Sequence, residues 1–367
     1  MEKSLKNNKM RIHIIGVSRN PSTPNIAMDP YAMVSYYLTT YLHKAGHEIH
    51  YYGYKESTVK CTKKWECADS KFHKKYYVTD FEKNHWTDPA AGNHIYFEKA
   101  SELLLKNHEK NDIVICMWSP GVDHIRKYFT NKGRNILRLV DGHIGHRVPS
   151  LETKYHVWSS HSNRHFNYGK YNLEDYWHDA TIYPMANELA NFEYEEKKKN
   201  YFLFFGRLEA GKGVGIFLEL AKHFSNYKFI LAGQGDHNFS IPSNVKEVGL
   251  LNVSQRKKYL KNAKAVISPS HYAEPFGLTA IEAGLSGTPI ICTDHGGYTE
   301  SVIDEITGFR CSYFNDFVNA INNIDSINPK DCRNNAKRFT AEVLIKDWEK
   351  YLKRIGSVGW YNIINNK

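Results

Sequence analysis

Tyr201–Ala232 reads YFLFFGRLEAGKGVGIFLELAKHFSNYKFILA. It opens with five apolar residues, Tyr201 to Phe205, short enough for a buried strand. A glycine-rich turn follows, carrying Arg207 and Lys212. Val214 to His223 has the spacing of an amphipathic helix, and Lys228 to Ala232 is apolar again. Strand, glycine-rich turn, helix, strand is the signature of a β-α-β unit with a parallel sheet.

The same rhythm extends outward in both directions. Towards the C-terminus, Val245–Gly249, Ala265–Ser268 and Pro289–Cys292 predict three more strands, with helices between several of them. Ala341–Lys353 predicts a last helix beyond the second sheet. Towards the N-terminus, Glu193–Lys199 (EYEEKKK) is a charged linker and marks a domain boundary. Before it, Arg11–Val17 is a first strand and Tyr31–Ala45 a helix ending at Gly46, a residue suited to a helix C-terminus. His47–Gly53 is a second strand. Ile95–Asn107 predicts a helix, and Asp112–Trp118, Ile136–Val140, Val157–Ser159 and Ile182–Tyr183 predict strands. Residues 55–95 are polar and aromatic and carry no clear period. The expected class is α/β, with two Rossmann-like parallel-sheet domains. The expected division is 1–192, 193–340 and a C-terminal helical stretch, 341–367.

Composition narrows the functional classes. The chain has 367 residues, 41% hydrophobic and 24% charged, enough for two cores. Its net charge of +10 suits phosphorylated ligands, nucleic acid or anionic membranes. Nucleic acid is not expected, because zinc-finger spacing, an RNA-binding aromatic signature and a basic leucine-zipper pattern are all missing. Lys63, Lys64, Lys71, Lys74 and Lys75 form the densest basic stretch, interrupted by Glu66 and Asp69, and read first as a solvated face. The six cysteines form neither a disulfide framework nor a zinc site, which fits a reducing compartment such as the cytoplasm. The first ten residues lack a signal-peptide core, and no run of roughly 18 apolar residues predicts a membrane span.

Ligands of open α/β sheets bind beyond the carboxyl ends of the strands. Three segments stand there. Gly206-Arg207-Leu208-Glu209-Ala210-Gly211-Lys212-Gly213 places two cations beside a helix start, a setting for phosphate. Ser268 to Ala283 ends a strand and places Pro275 where a helix is expected to begin, so that the amides of Phe276, Gly277 and Leu278 face an anion. Glu282 follows Glu274 by eight residues, about 12 Å along a helix axis. That separation suits a nucleotide-diphosphate sugar, with one carboxylate for sugar hydroxyls and one for ribose hydroxyls. Gly287 to Glu300 is a buried strand ending in the Gly296-Gly297 turn, expected to bring further amides to the same crevice.

Gly206-Arg207-x4-Lys212-Gly213, Glu274-x7-Glu282, Gly287-x-Pro289 and Gly296-Gly297-x2-Glu300 together resemble the retaining glycosyltransferases of family 4, which have the GT-B fold. The first domain is similar more loosely, through Ala45-Gly46-His47-Glu48, Asp141-Gly142-His143 and the serine-containing turn Ser159–Asn163. The resemblance implies two domains facing a central cleft and transfer with retention of anomeric configuration. It implies that Arg207 and Lys212 neutralise the donor diphosphate, with Gly206 beside them. Glu274 then binds the donor sugar, Glu282 the ribose, and the amides from Phe276 to Leu278 the distal phosphate. His143 is implied near the donor sugar. The expected catalytic group is therefore His143, Arg207, Lys212 and Glu274. No D-x-D triplet occurs, so neither a metal nor another cofactor is expected. The partners expected are a nucleotide-sugar donor and a glycan or lipid-linked acceptor, with peripheral membrane contact left open. Members often carry a Gly-Gly turn after the first strand, and here Asn25 to Pro30 (NIAMDP) stands in its place. A nucleotide-sugar 2-epimerase of the same architecture and a non-catalytic nucleotide-sugar-binding subunit remain as alternatives.

Overall fold

A computed structural model describes residues 9–357, apart from 27–28, 78–80, 82–89, 146–147, 175–177, 186–187, 189–190 and 236–237, and apart from the side chains of 143 and 144. The chain forms two compact units, one of 1–157, 176–180 and 345–367, the other of 158–175 and 181–344.

The first unit is built on β1 (Arg11–Ile15), whose apolar run is buried. α1 (Pro30–Lys44) follows, with Asp29 as its N-cap. The Asp29 carboxylate accepts from the Tyr31 and Ala32 amides at 3.1 and 3.3 Å. A carboxylate at a helix N-terminus satisfies free amides and complements the helix dipole. The Asn25–Pro30 departure thus ends in a self-capped helix. β2 (Glu48–Tyr54), β3 (Lys63–Ala68), α2 (Ser70–Tyr77), α3 (Ala90–Asn107), β4 (Ile113–Cys116), α4 (Ser119–Asn131), β5 (Leu139–Ile144) and β6 (Tyr155–Trp158) come next. β7 (Ala180–Thr181) completes the first sheet, after α5 (His161–Tyr171), which belongs to the second unit. The strand order is β3-β2-β1-β4-β5-β6-β7, and β1 pairs in parallel with both β2 and β4.

Within the unassigned stretch 55–95, β3 is an edge strand bearing Lys63 and Lys64. Exposed lysines blunt a sheet edge against pairing with other chains. Residues 78–80 and 82–89 of that stretch lie outside the described residues. The strand expected at Ile136–Val140 begins later, at Leu139, and the one expected at Ile182–Tyr183 is Ala180–Thr181.

The second unit contains β8 (Tyr201–Phe205), α6 (Val214–His223), β9 (Lys228–Ala232), β10 (Val245–Gly249), α7 (Val253–Asn262), β11 (Ala265–Ser268) and α8 (Leu278–Leu285). β12 (Ile290–Thr293), α9 (Tyr298–Ser301), β13 (Gly308–Cys311), α10 (Phe314–Asn323) and α11 (Pro329–Lys337) follow, and α12 (Ala341–Gly356) begins in this unit and passes into the first from Ile345. The order β10-β9-β8-β11-β12-β13 is a doubly wound sheet, and its direction reverses between β8 and β11. The aromatic run of β8 is explained by its packing. Phe202 lies 5.3 Å from Phe229, and Phe204 lies 5.5 Å from Phe217, centroid to centroid. Burying each such ring stabilises by about 1.5–3 kcal/mol.

The charged linker is docked on this unit. Lys198 Nζ donates to the carbonyls of Lys261 and Ser286 and to Thr288 Oγ1, at 3.0–3.1 Å. Burial lowers the Lys198 pKa to about 8. Compactness therefore divides the chain elsewhere than at 192/193. Trp158–Asp175 falls with the second sheet, and α12 from Ile345 onward falls with the first. There Arg138 Nε donates to the Ile355 carbonyl at 3.1 Å, and His47 Nε2 lies 3.3 Å from Glu349. Trp348 is buried. Among the described residues, no helix is long and apolar enough to cross a membrane.

Candidate functional site

The site forms where the second sheet reverses, beyond the carboxyl ends of β8 and β11. After β8 the chain makes one 3-10 turn, Ala210–Lys212, and enters α6 through Gly213 at φ +74°. A Cβ on Gly213 would sit 1.9 Å from the Pro269 carbonyl oxygen. Only glycine lets the two loops approach this closely. The His271 amide then donates to the Gly211 carbonyl at 2.9 Å and laces them together.

This lacing delivers Lys212 to Glu274. Lys212 Nζ donates to Glu274 Oε1, which also accepts from Ser270 Oγ at 2.7 Å. Glu274 is buried. Burial pulls the Lys212 pKa down, but the charge of Glu274, together with Tyr272, outweighs it and holds the pKa above the usual lysine value. Lys212 Nζ also lies 5.0 Å from the Tyr272 ring centroid. Arg207 reaches the same tyrosine. Its Nη2 donates to Tyr272 Oη at 3.3 Å and its Nη1 to Glu209 Oε2 at 3.1 Å. Gly206 precedes it, its amide bonded to the Ala232 carbonyl. Arg207, Lys212 and Glu274 thus meet around Tyr272, two cations beside one buried carboxylate.

The helix expected to begin at Pro275 begins three residues later, at Leu278. Two features delay it. Gly277 takes φ +88°, a left-handed conformation that breaks helical continuity. Phe276 turns inward and packs against Tyr183 and Phe339, with centroids 5.0 and 5.2 Å away. The first helical amides therefore come from Leu278 and Thr279, and the Ala280 amide already donates to the Gly277 carbonyl. The axial spacing worked out for Glu274 and Glu282 does not apply, since only Glu282 is helical.

The Gly296-Gly297 turn also differs from expectation. The Gly297 amide donates to the Glu274 carbonyl at 2.7 Å, and a Cβ on Gly297 would lie 2.2 Å from Phe276 Cα. The turn braces the Glu274–Phe276 strand of backbone from behind, so this amide is not available to a ligand.

Glu282 lies on α8 and is only 2% exposed. Its Oε2 stands 3.6 Å from Arg256 Nε, on α7. Burial raises the Glu282 pKa, with Arg256 opposing.

His143 occupies the carboxyl end of β5 in the first unit, and its side chain lies outside the described residues. Two residues before it, the fully buried Asp141 accepts from Ser119 Oγ at 3.1 Å and from the Ser150 amide at 2.9 Å. Burial raises the Asp141 pKa to about 6. His156 holds the same loop, with Nε2 2.9 Å from the Ser150 carbonyl and Nδ1 2.9 Å from Asp179 Oδ1. A carbonyl and a carboxylate both accept, so the protonated ring, a donor at both nitrogens, satisfies both contacts. Burial works against that charge, yet Asp179, Asp141 and the Ser150 carbonyl outweigh it and raise the His156 pKa.

The sequence patterns give no role to Ser270, Tyr272, Arg256 or Glu300. Glu300 had a signal, because it closes the Gly296-Gly297-x2-Glu300 pattern. It accepts from the His161 and Ser162 amides at 2.9 and 2.7 Å and from Tyr183 Oη at 3.1 Å. It thereby ties the start of α5 to α9.

Residues 187–339 match the family model described as glycosyl transferases group 1. Solved structures similar along nearly the whole chain settle the architecture. A sucrose-phosphate synthase from Thermosynechococcus elongatus aligns at TM-score 0.69 and 17% identity, covering 95% of this chain and 99% of that one. The chain has the GT-B fold. Anabaena Alr3699/HepE, solved in complex with UDP and glucose, shares this GT-B fold at TM-score 0.67 and 13% identity, over 94% and 99% of the two chains. By sequence, an uncharacterized glycosyltransferase of Methanocaldococcus jannaschii is 34% identical over 120 residues, 29% of this chain and 30% of that protein. The matched stretches span between about 30% and about half of the length of the curated relatives.

Proposed function

We propose that this chain is a retaining glycosyltransferase that moves a sugar from a nucleotide-diphosphate sugar to an acceptor hydroxyl, on a glycan or a lipid-linked glycan, without a metal. One observation carries the reading: Lys212 and Arg207 both reach Tyr272 at the sheet's reversal point, with the buried Glu274 held against Lys212. Two cations there offset the charge that develops on a departing diphosphate, which is electrostatic preorganisation. The α8 amides from Leu278 add to this, while Glu274 receives donor-sugar hydroxyls and Glu282 those of the ribose. The match to glycosyl transferases group 1 and the UDP and UDP-glucose bound in the Anabaena structures support a nucleotide-sugar donor.

In the proposed step, the acceptor oxygen bonds to the anomeric carbon on the face from which the diphosphate leaves. The bond from that carbon to the diphosphate oxygen breaks, and a phosphate oxygen takes the acceptor proton. A thermal-shift screen of UDP-, GDP- and ADP-sugars tests the reading, because a ligand that binds only the native state raises the unfolding temperature. One nucleotide series is expected to stabilise the protein, with Arg207→Ala losing the shift. No shift from any of them contradicts the proposal. A product of inverted configuration by NMR, or activity abolished by a chelator, removes the retaining or the metal-free part.

A further inference from the structure

α7 reads VSQRKKYLKN, the composition of a surface helix. Arg256 nevertheless points inward and is 4% exposed. Its guanidinium carbon stands 5.5 Å from the ring centroid of Phe205, the last residue of β8. Its Nε is 3.6 Å from Glu282 Oε2. The ion pair is therefore set beside the carboxyl end of β8, one residue before the Gly206 turn. Oε2 of Glu282 is fully buried and accepts no hydrogen bond from the described residues. A buried carboxylate oxygen without a donor is costly, and a ligand hydroxyl is the partner that relieves it.

We propose that Arg256 is a positioning residue of the donor site: it holds Glu282 as a fixed carboxylate from the side of α7, so that Oε2 receives a hydroxyl of the donor's nucleoside. This rests on the donor reading above and adds a residue that none of the glycine and glutamate patterns contains. Burial raises the Glu282 pKa, and Arg256 is the charge that opposes it. The other charged groups around α8 are engaged elsewhere. Lys212 and Glu274 pair with each other ahead of its first turn. Lys198 and Arg333 donate to the Ser286 and Leu285 carbonyls at its far end. On α11, Cys332 faces Gly284, and burial pushes its thiol up to about 12.

Without Arg256, Glu282 takes up a proton nearer neutrality, and a protonated carboxyl is a poorer acceptor for a ribose hydroxyl. The test is calorimetric binding of UDP, GDP and ADP between pH 6.5 and 8.5 to wild type, Arg256→Lys, Arg256→Met and Arg256→Met/Glu282→Gln. The ratio of variant to wild-type affinity cancels the titration of the ligand's own phosphate. Arg256→Met is expected to bind about tenfold more weakly at pH 6.5, roughly the loss of one charge-assisted hydrogen bond, and to recover most of the loss by pH 8.5. Arg256→Lys retains most of the affinity. The double variant, which leaves neither charge buried, binds weakly at every pH and guards against misfolding of the single one. A loss in Arg256→Met that is the same at every pH makes Arg256 a packing residue and overturns the proposal, while wild-type binding keeps the donor reading intact. Wild type that binds none of the three nucleotides overturns the donor reading and this inference with it.

Discussion

Lys212→Met probes the centre of the site. Lys212 neutralises Glu274, which is buried and also accepts from the Ser270 hydroxyl. Removing one partner of a buried ion pair costs about 3–5 kcal/mol. The Lys212 side chain is 19% exposed, so the lower end applies, about 3 kcal/mol. At roughly 2–4 °C per kcal/mol for a domain of this size, the second unit should melt about 6–12 °C lower. Donor binding falls for a separate reason. A diphosphate charge about 4 Å from an ammonium gains about 4 kcal/mol at an effective dielectric near 20. Affinity should therefore drop roughly a hundredfold or more. Scanning calorimetry with and without nucleotide sugar measures both effects. Adding Glu274→Gln to Lys212→Met removes the orphaned charge and should restore most of the stability, but none of the binding. A double variant no more stable than Lys212→Met would falsify the pairing argument.

Two further perturbations test the frame around the site. Gly213→Ala combines a left-handed backbone with a Cβ 1.9 Å from the Pro269 carbonyl; strain of this kind costs about 1–3 kcal/mol, so denaturant unfolding should show a loss above about 2 kcal/mol together with loss of the nucleotide-sugar shift, and a loss below about 0.5 kcal/mol refutes the close approach. Asp179→Asn should remove a pH-dependent contribution of about 2 kcal/mol from the first unit, the scale of a charged hydrogen bond. The His156 pKa is raised on folding, so that contribution is complete below about 6.5 and is lost as pH rises through the folded value. His108, lowered to about 4 by burial, acts in the opposite sense: its contribution is present above about 6.5 and fades as pH falls towards 4. The difference between wild type and Asp179→Asn therefore isolates His156, and should be larger at pH 6 than at pH 8.5. Equal differences at both pH values contradict it.

What the sequence discloses follows from where the decisive partner lies. β8, β9, β11 and β12 are legible because each is a short, mostly apolar run followed closely by a glycine or proline turn. The start of α8 is not, because the residues that draw Phe276 inward, Tyr183 and Phe339, are distant in sequence. Pro275 is a good first helical residue, and local preference alone places the helix one turn too early. The Gly296-Gly297 turn misleads for the same reason, since the group its amide serves, the Glu274 carbonyl, comes from another loop. β3 and α2 hide behind lysines, because an edge strand has little apolar surface to show. Glu193–Lys199 reads as a tether by charge, yet Lys198 reaches three acceptors, one on α7 and two in the turn after α8. Arg256 is hidden among three other cations of α7 and is identifiable only by its burial.

In the proposed function the second unit grips a nucleotide diphosphate at the reversal point of its sheet. Hydrogen exchange read by mass spectrometry, with and without a saturating nucleotide sugar, tests it most directly. Protection is expected in 206–213 and in 274–282 together. Protection confined to other segments, or none at saturation, contradicts the account.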